Sequence, residues 1–171
     1  MKKNKVQFGC GNRRFSGWDN FDYEIDISKK LPFDDNSLDI IFTNHNLEHV
    51  TIHEAFGFLE ECYRVISPNG VVRLQVPSIE KINSCNNLDY IQERGGSLSI
   101  AVKNVILLFG HKSAYTSSLL KHMLIAVGFL PTEHDPRFSP TLEIQEAINA
   151  NFGKDEINYD IETICFESRK Q

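Results

Sequence analysis

The run Val6-Gln-Phe-Gly-Cys-Gly-Asn12 restricts the fold of this chain more than any other stretch. A short segment, 6–8, breaks at Gly9 and Gly11, and polar residues follow. This pattern reads as a buried parallel strand ending in a tight turn. Glycine reaches positive φ without a steric penalty and leaves room for a ligand where a Cβ would stand. Ligands of open α/β sheets bind beyond the carboxyl ends of the strands, so the turn is a candidate site. A pair of glycines also serves as ordinary turn chemistry, and the residues downstream have to separate the two readings.

Downstream, apolar runs and helical patterns alternate, which points to an α/β chain. Residues 18–22 read as a second strand ending on Asp22, and the connection over 13–17 is too short for a full helix. Residues 38–43 (LDIIFT) form a continuous apolar run, as expected of a strand buried on both faces. Thr51 and Glu54 have capping-box spacing, and the helix they open places Ala55, Phe58, Leu59, Cys62 and Val65 on one stripe. Pro68-Asn-Gly70 reads as a turn before a strand over 71–76. Residues 116–127 read as an amphipathic helix closed by Gly128, followed by a strand from 129 and a last, antiparallel strand over 161–166. Phe33, Phe42 and Phe58 are expected in the core. The expectation is a doubly wound, mainly parallel sheet of about seven strands with an antiparallel C-terminal strand.

At 171 residues the chain is expected to be a single domain, 1–171, with 78–114 as a lid or acceptor-binding insertion. The apolar run over 98–109 suits core helix, lid or a surface for a second copy or a protein partner. A net charge of −5 without any basic run longer than two residues disfavours nucleic acid. The four cysteines, Cys10, Cys62, Cys85 and Cys165, form no C-x-x-C pair, which argues against a zinc knuckle and fits a reducing compartment. The apolar run behind the basic residues at the N-terminus is too short for a signal peptide or a membrane span. A cytoplasmic location is expected.

Four features then fall side by side at the carboxyl edge of such a sheet: the glycine turn, Asp22, Asp26 with the LPF turn at 31–33, and the end of the 38–43 strand. A carboxylate at the end of strand two accepts both hydroxyl protons of a ribose. A second acid beside a backbone N–H suits an adenine edge. Position 14 is Arg rather than a third glycine, and no Walker lysine follows, so a pyrophosphate is disfavoured. An adenosyl ligand without one, S-adenosylmethionine, fits better.

The segments VQFGCGN, GWDNFD, DISKKLPFDDNSLDIIFTNHNLEHV, ECYRVISPNGVVRLQVPS and HKSAYTSSLLKHMLIAVGF resemble, in this order, the class I S-adenosylmethionine-dependent methyltransferases. The chain is similar in particular to small members with a G-W-x-N-x-D / L-P-F / L-E-H / Y-R-V-L-x-P-G-G pattern, over residues 5–130. Some of these are thought to act on glycans or other cell-surface metabolites. The resemblance implies that Gly9, Cys10 and Gly11 pass under the methionine portion of the cofactor and that Asp22, with Glu24 as the alternative after so short a connection to Asp26, takes the ribose hydroxyls. It also implies that Asp26 and Ile27 meet the adenine edge and that Asn44 closes the pocket. Gln7 stands where such chains more often carry an acid or a small polar residue.

Methyl transfer is an in-line displacement, and a hydroxyl acceptor needs a general base. His45, just past the 38–43 strand, and His111, before the 116–127 helix, are the candidates by position. A small-molecule or saccharide acceptor is expected. His45-Asn-Leu-Glu-His49 also matches H-x-x-E-H, a zinc-peptidase signature that His53 extends. It follows directly on a buried strand, without a clear third ligand downstream, so no metal is expected, and Glu48 and His49 are read as orienting the loop by hydrogen bonds. Two other classes stay open: a catalytically idle module of this fold acting through a protein partner and, more distantly, a dehydrogenase-type nucleotide domain.

Overall fold

The computed structural model describes residues 3–107, 109–153 and 161–170. Its sheet comprises β1 (Lys5–Phe8), β2 (Asp19–Phe21), β3 (Leu38–Asn44), β4 (Ile66–Pro77), β5 (Phe129–His134) and β6 (Thr163–Lys170). Their order is β2-β1-β3-β4-β6-β5. The first four positions pair in parallel, and β6 runs antiparallel between β4 and β5. The α/β class and the antiparallel last strand agree with expectation. The described strands number six rather than about seven, because the short loop between β2 and β3 is taken up by turns. The last strand lies inside the sheet, where its pairing on both sides accounts for its burial from Thr163 to Ser168.

Among the described residues six α-helices, α1 (Ile52–Val65), α2 (Ile79–Asn83), α3 (Leu88–Glu93), α4 (Leu98–Leu107), α5 (Ser117–Val127) and α6 (Leu142–Asn151), cover and extend this sheet. The capping box that opens α1 is complete: Glu54 N–H donates to Thr51 Oγ1, and Thr51 N–H donates to the Glu54 carboxylate at 2.8 Å. The expected stripe from Ala55 to Val65 is buried against Val6, Phe8, Ile41 and Leu74, together with Leu120 and Leu124 of α5. Gly128 ends α5 at φ 110, where a Cβ would stand 3.2 Å from the Tyr63 ring. Phe42 and Phe58 are buried, and Phe33 packs half-buried against the same core.

The opposite face of the sheet is closed by α6, for which the sequence offers only a weak pattern. Ile144, Ala147 and Ile148 pack with Phe15, Trp18, Ile40, Phe42 and Val71. A third cluster, Ile82, Tyr90, Ala101 and Val105, holds α2, α3 and α4 together.

One turn is corrected. β4 begins at Ile66 rather than at 71, and its pairing with β3 slips from Leu38↔Ile66 to Ile40↔Val71. Pro68-Asn-Gly70 is therefore a bulge within the strand, with Asn69 in the left-handed region at φ 67.

Candidate functional site

Strand register puts the expected cofactor residues in one row. Phe8 pairs with Phe21 of β2 and with Thr43 of β3, so the residues that follow, Gly9, Asp22 and Asn44, stand at adjacent strand ends. Neighbouring strands are about 4.8 Å apart, so the row spans about 10 Å. Gly9 and Gly11 both have positive φ, and Cys10 N–H ties the turn to β2 through the Phe21 carbonyl at 3.1 Å.

The two glycines serve different ends. A Cβ on Gly9 would stand 2.5 Å from Asn46 Cγ, so that glycine makes room for the chain after β3. At Gly11 nothing lies within 4 Å of the Cβ position, and that glycine opens to free space. Asn46 is a site residue that the sequence did not single out. The buried Oδ1 of Asn44 accepts no hydrogen bond among the described residues.

Asp22 is half-buried, and its backbone N–H donates to Glu24 at 2.7 Å. Asp26 is exposed and turns back on Ser28 N–H at 2.9 Å, a bond that, with the Ser28 side chain, lowers its carboxyl below the usual range. Ile27 departs from expectation: its side chain lies in the core beside Phe8 and Leu31. Gln7 is also buried, and its Oε1 accepts from Phe15 N–H at 3.4 Å, so its amide belongs to the packing of the opposite face. Buried Cys10 has its thiol pushed up chiefly by desolvation. These placements fit an adenosyl ligand: a row of donors and acceptors at the strand ends, an open glycine, and no helix after Gly11 to cradle a pyrophosphate.

Directly beyond the row lies a second arrangement. A cavity of about 230 Å³ is lined by His45, Glu48, His49, Arg94, His111 and Glu162, among others. His45 follows Asn44 in the left-handed region at φ 49, and its backbone N–H donates to Gln75 of β4. Its Nε2 lies 2.8 Å from Thr163 Oγ1 and its Nδ1 3.6 Å from Glu48 Oε1. Burial and neighbouring positive charge push its pKa down to about 3, so the ring is neutral. His111 Nδ1 lies 2.5 Å from the Val105 carbonyl oxygen, which fixes that nitrogen as the donor and leaves Nε2 as an acceptor. Its pKa is lowered, mainly by burial.

Glu48 joins these two histidines. It is 1% exposed, and neither carboxylate oxygen accepts a hydrogen bond among the described residues. Burial pushes its pKa up to about 8. Glu48 holds the loop through its backbone rather than its side chain. Lys112 and Ser113 N–H groups donate to the Glu48 carbonyl, and the Ser113 and Tyr115 hydroxyls donate to that of Leu47. His45, His49 and His53 do not share one helical face, since only a single 3-10 turn over Leu47–His49 separates the bend at His45 from α1. Across the cavity, Arg94 Nη2 lies 3.1 Å from both oxygens of Glu162, which also accepts from Tyr90 Oη at 2.7 Å. Neither Arg94 nor Glu162 carried a sequence signal, because 68 residues separate them.

Comparison with known proteins bears on the adenosyl row. A family model described as a methyltransferase domain matches residues 9–74, the span that contains the glycine turn, Asp22, Asp26, Asn44 and α1. No curated protein matches the sequence. Among solved structures, an S-adenosylmethionine-dependent methyltransferase from Mesorhizobium loti is similar with a TM-score of 0.59 at 15% identity, covering 98% of this chain and 91% of that one. Phosphoethanolamine N-methyltransferase 2 of Haemonchus contortus, solved with S-adenosyl-L-methionine, has a TM-score of 0.60 at 13% identity, covering 99% of this chain and 49% of that one. A Haloferax volcanii chain solved with the Trm112 methyltransferase activator has a TM-score of 0.57 at 13% identity, covering 99% and 83%. At these identities the likeness is one of fold.

Proposed function

We propose that this chain is a class I S-adenosylmethionine-dependent methyltransferase that methylates a small-molecule or saccharide acceptor held in the cavity beyond His45. One observation carries this reading: the cavity begins at the residue after Asn44, so the adenosyl row and the acceptor space share the end of β3. When bound, S-adenosylmethionine supplies an electrophilic methyl group on a sulfonium. In this reading Gly9, Cys10 and Gly11 carry its amino-acid portion and Asp22 holds the ribose. Asn44 closes the pocket with its unpartnered oxygen, and Asp26 meets the adenine edge with the backbone of Ile27. Residues 78–114, packed on their own small core, wall the acceptor space.

His45 and His111 position the acceptor, and His111 takes its proton. The Val105 carbonyl fixes the donor of the His111 ring and leaves Nε2 as its acceptor, while burial keeps His45 neutral. General-base assistance contributes about 10²–10⁴-fold. A screen of saccharides and small hydroxy compounds for formation of S-adenosylhomocysteine tests the reading. Alanine at both His45 and His111 should cut turnover by about 10² or more and leave cofactor affinity intact. Unchanged turnover would refute the assignment.

A second reading, a module acting through a protein partner, draws on the exposure of Ile100, Leu107 and Phe109, the last two being 63% and 65% exposed. The Haloferax chain of similar fold was solved with an activator protein. Sedimentation of the purified chain tests for self-association: a dimer converted to monomer by Phe109→Ser supports this face, and an unchanged monomer removes the homodimer. The free state of all four cysteines suits a cytoplasmic place of work, and no described helix is long and apolar enough to cross a membrane.

A further inference from the structure

We propose that Glu48, His49 and His111 form a binding site for one divalent transition-metal cation of the zinc class, set in the wall of the acceptor cavity. The ligand atoms of these three side chains lie within 4.8 Å of one another, with Glu48 Oε1 3.9 Å from His111 Nε2. Two imidazoles and one carboxylate are the donors that borderline divalent ions prefer. Such an ion sits about 2.0–2.2 Å from each donor. Its ligands must therefore stand about 3–3.5 Å apart, so binding draws the widest pair together by up to about 1.5 Å.

Three observations favour a cation over a chance cluster. Glu48 is buried with both oxygens unpartnered, and a buried carboxylate is costly unless a positive charge or hydrogen bonds face it. Arg94, which lines the same cavity, is already engaged by both oxygens of Glu162. His111 is held ready as a ligand: Nδ1 donates to the Val105 carbonyl, leaving the Nε2 lone pair directed at Glu48. A backbone carbonyl on the second ring nitrogen is the usual way a metal-binding histidine is oriented. The loop that carries His111 is fixed in place by the bonds from Lys112 and Ser113 to the Glu48 backbone. His49 lies against His111 with ring centroids 4.8 Å apart and perpendicular planes. The set is thus not the H-x-x-E-H pair of a helix, because one ligand comes from a loop more than sixty residues away.

Three protein ligands leave coordination positions open, and the same three side chains line the cavity. The site stands without the methyl-transfer reading. If that reading also holds, a cation and a proton compete for His111 Nε2, and an oxygen-bearing acceptor would bind through an open metal position.

The full chain, purified and stripped with a chelator, is titrated with Co²⁺ by visible absorption and with Zn²⁺ by competition. We expect one equivalent of Co²⁺ with a ligand-field band displaced by Zn²⁺. Affinity should fall at least tenfold in Glu48→Gln and in His111→Ala, and stay unchanged in the exposed control His53→Ala. Absence of saturable binding, or equal affinity in Glu48→Gln, overturns the proposal. Should His111→Ala fail to fold by circular dichroism, the near-isosteric Glu48→Gln decides alone. Cofactor titration is separate: its loss with the metal intact would contradict the methyltransferase reading and leave this site standing.

Discussion

Two buried carboxylates, Glu167 on β6 and Glu48 after β3, face opposite fates in one small domain. Glu167 pairs with the fully buried Arg73 of the adjacent strand at 2.7 Å and accepts from the Ser139 and Thr141 hydroxyls. Arg73 in turn donates to the Pro136 and Phe138 carbonyls, so this network ties the loop before α6 to the sheet. The Glu48 carboxylate has the rings of His45, His49 and His111 nearby and accepts no hydrogen bond among the described residues. A satisfied buried charge fixes architecture. An unsatisfied one is held against its own solvation preference, and such groups concentrate at sites that work on ligands. The difference separates the structural end of the sheet from the end that carries the candidate site.

Substitution breaks the contrast in a definite order. Glu167→Ala should cost about 3–5 kcal/mol in urea denaturation, because it leaves Arg73 buried without a counter-charge. Replacing both partners, Arg73→Met with Glu167→Leu, should cost less than the single change, since no uncompensated charge remains. Glu48→Gln should cost nothing or stabilise the fold near neutral pH, because the carboxylate accepts no hydrogen bond among the described residues and its burial is penalised. A Glu48 variant as unstable as Glu167→Ala would erase the distinction.

The pH dependence sharpens it. Glu48 is raised in the fold from 4.5 to about 8. Its contribution is therefore fully present below about pH 4.5 and is lost as pH rises through 8. The stability of Glu48→Gln relative to the natural chain, followed by denaturation from pH 5 to 8.5, should grow with pH. A flat difference would show that Glu48 is ionised without penalty.

Much of the scaffold was legible because its causes are local. The Thr51–Glu54 box, the stripe of α1, Gly128 and the LDIIFT run each act within a few residues, and each lies where the pattern placed it. The glycine turn and Asp22 were legible for the same reason. What escaped depends on distant pairing. The bulge at Asn69 arises from register against β3, and burial of Ile27 follows from packing against Phe8. Insertion of β6 between β4 and β5 depends on partners 86–98 residues away in β4 and 31–41 residues away in β5. The isolation of the Glu48 carboxylate was illegible because it depends on a loop beyond α4. In sequence, the same glutamate reads as half of a peptidase motif or as a loop anchor.

The adenosyl row is the central claim, and calorimetric titration of the purified chain with S-adenosylmethionine, S-adenosylhomocysteine and NAD tests it most directly. Both adenosyl ligands should bind and NAD should not, with affinity at least tenfold weaker in Asp22→Ala, whose side chain makes no hydrogen bond among the described residues that the fold would miss. Failure of either adenosyl ligand to bind, or equal affinity in the variant, would contradict the account.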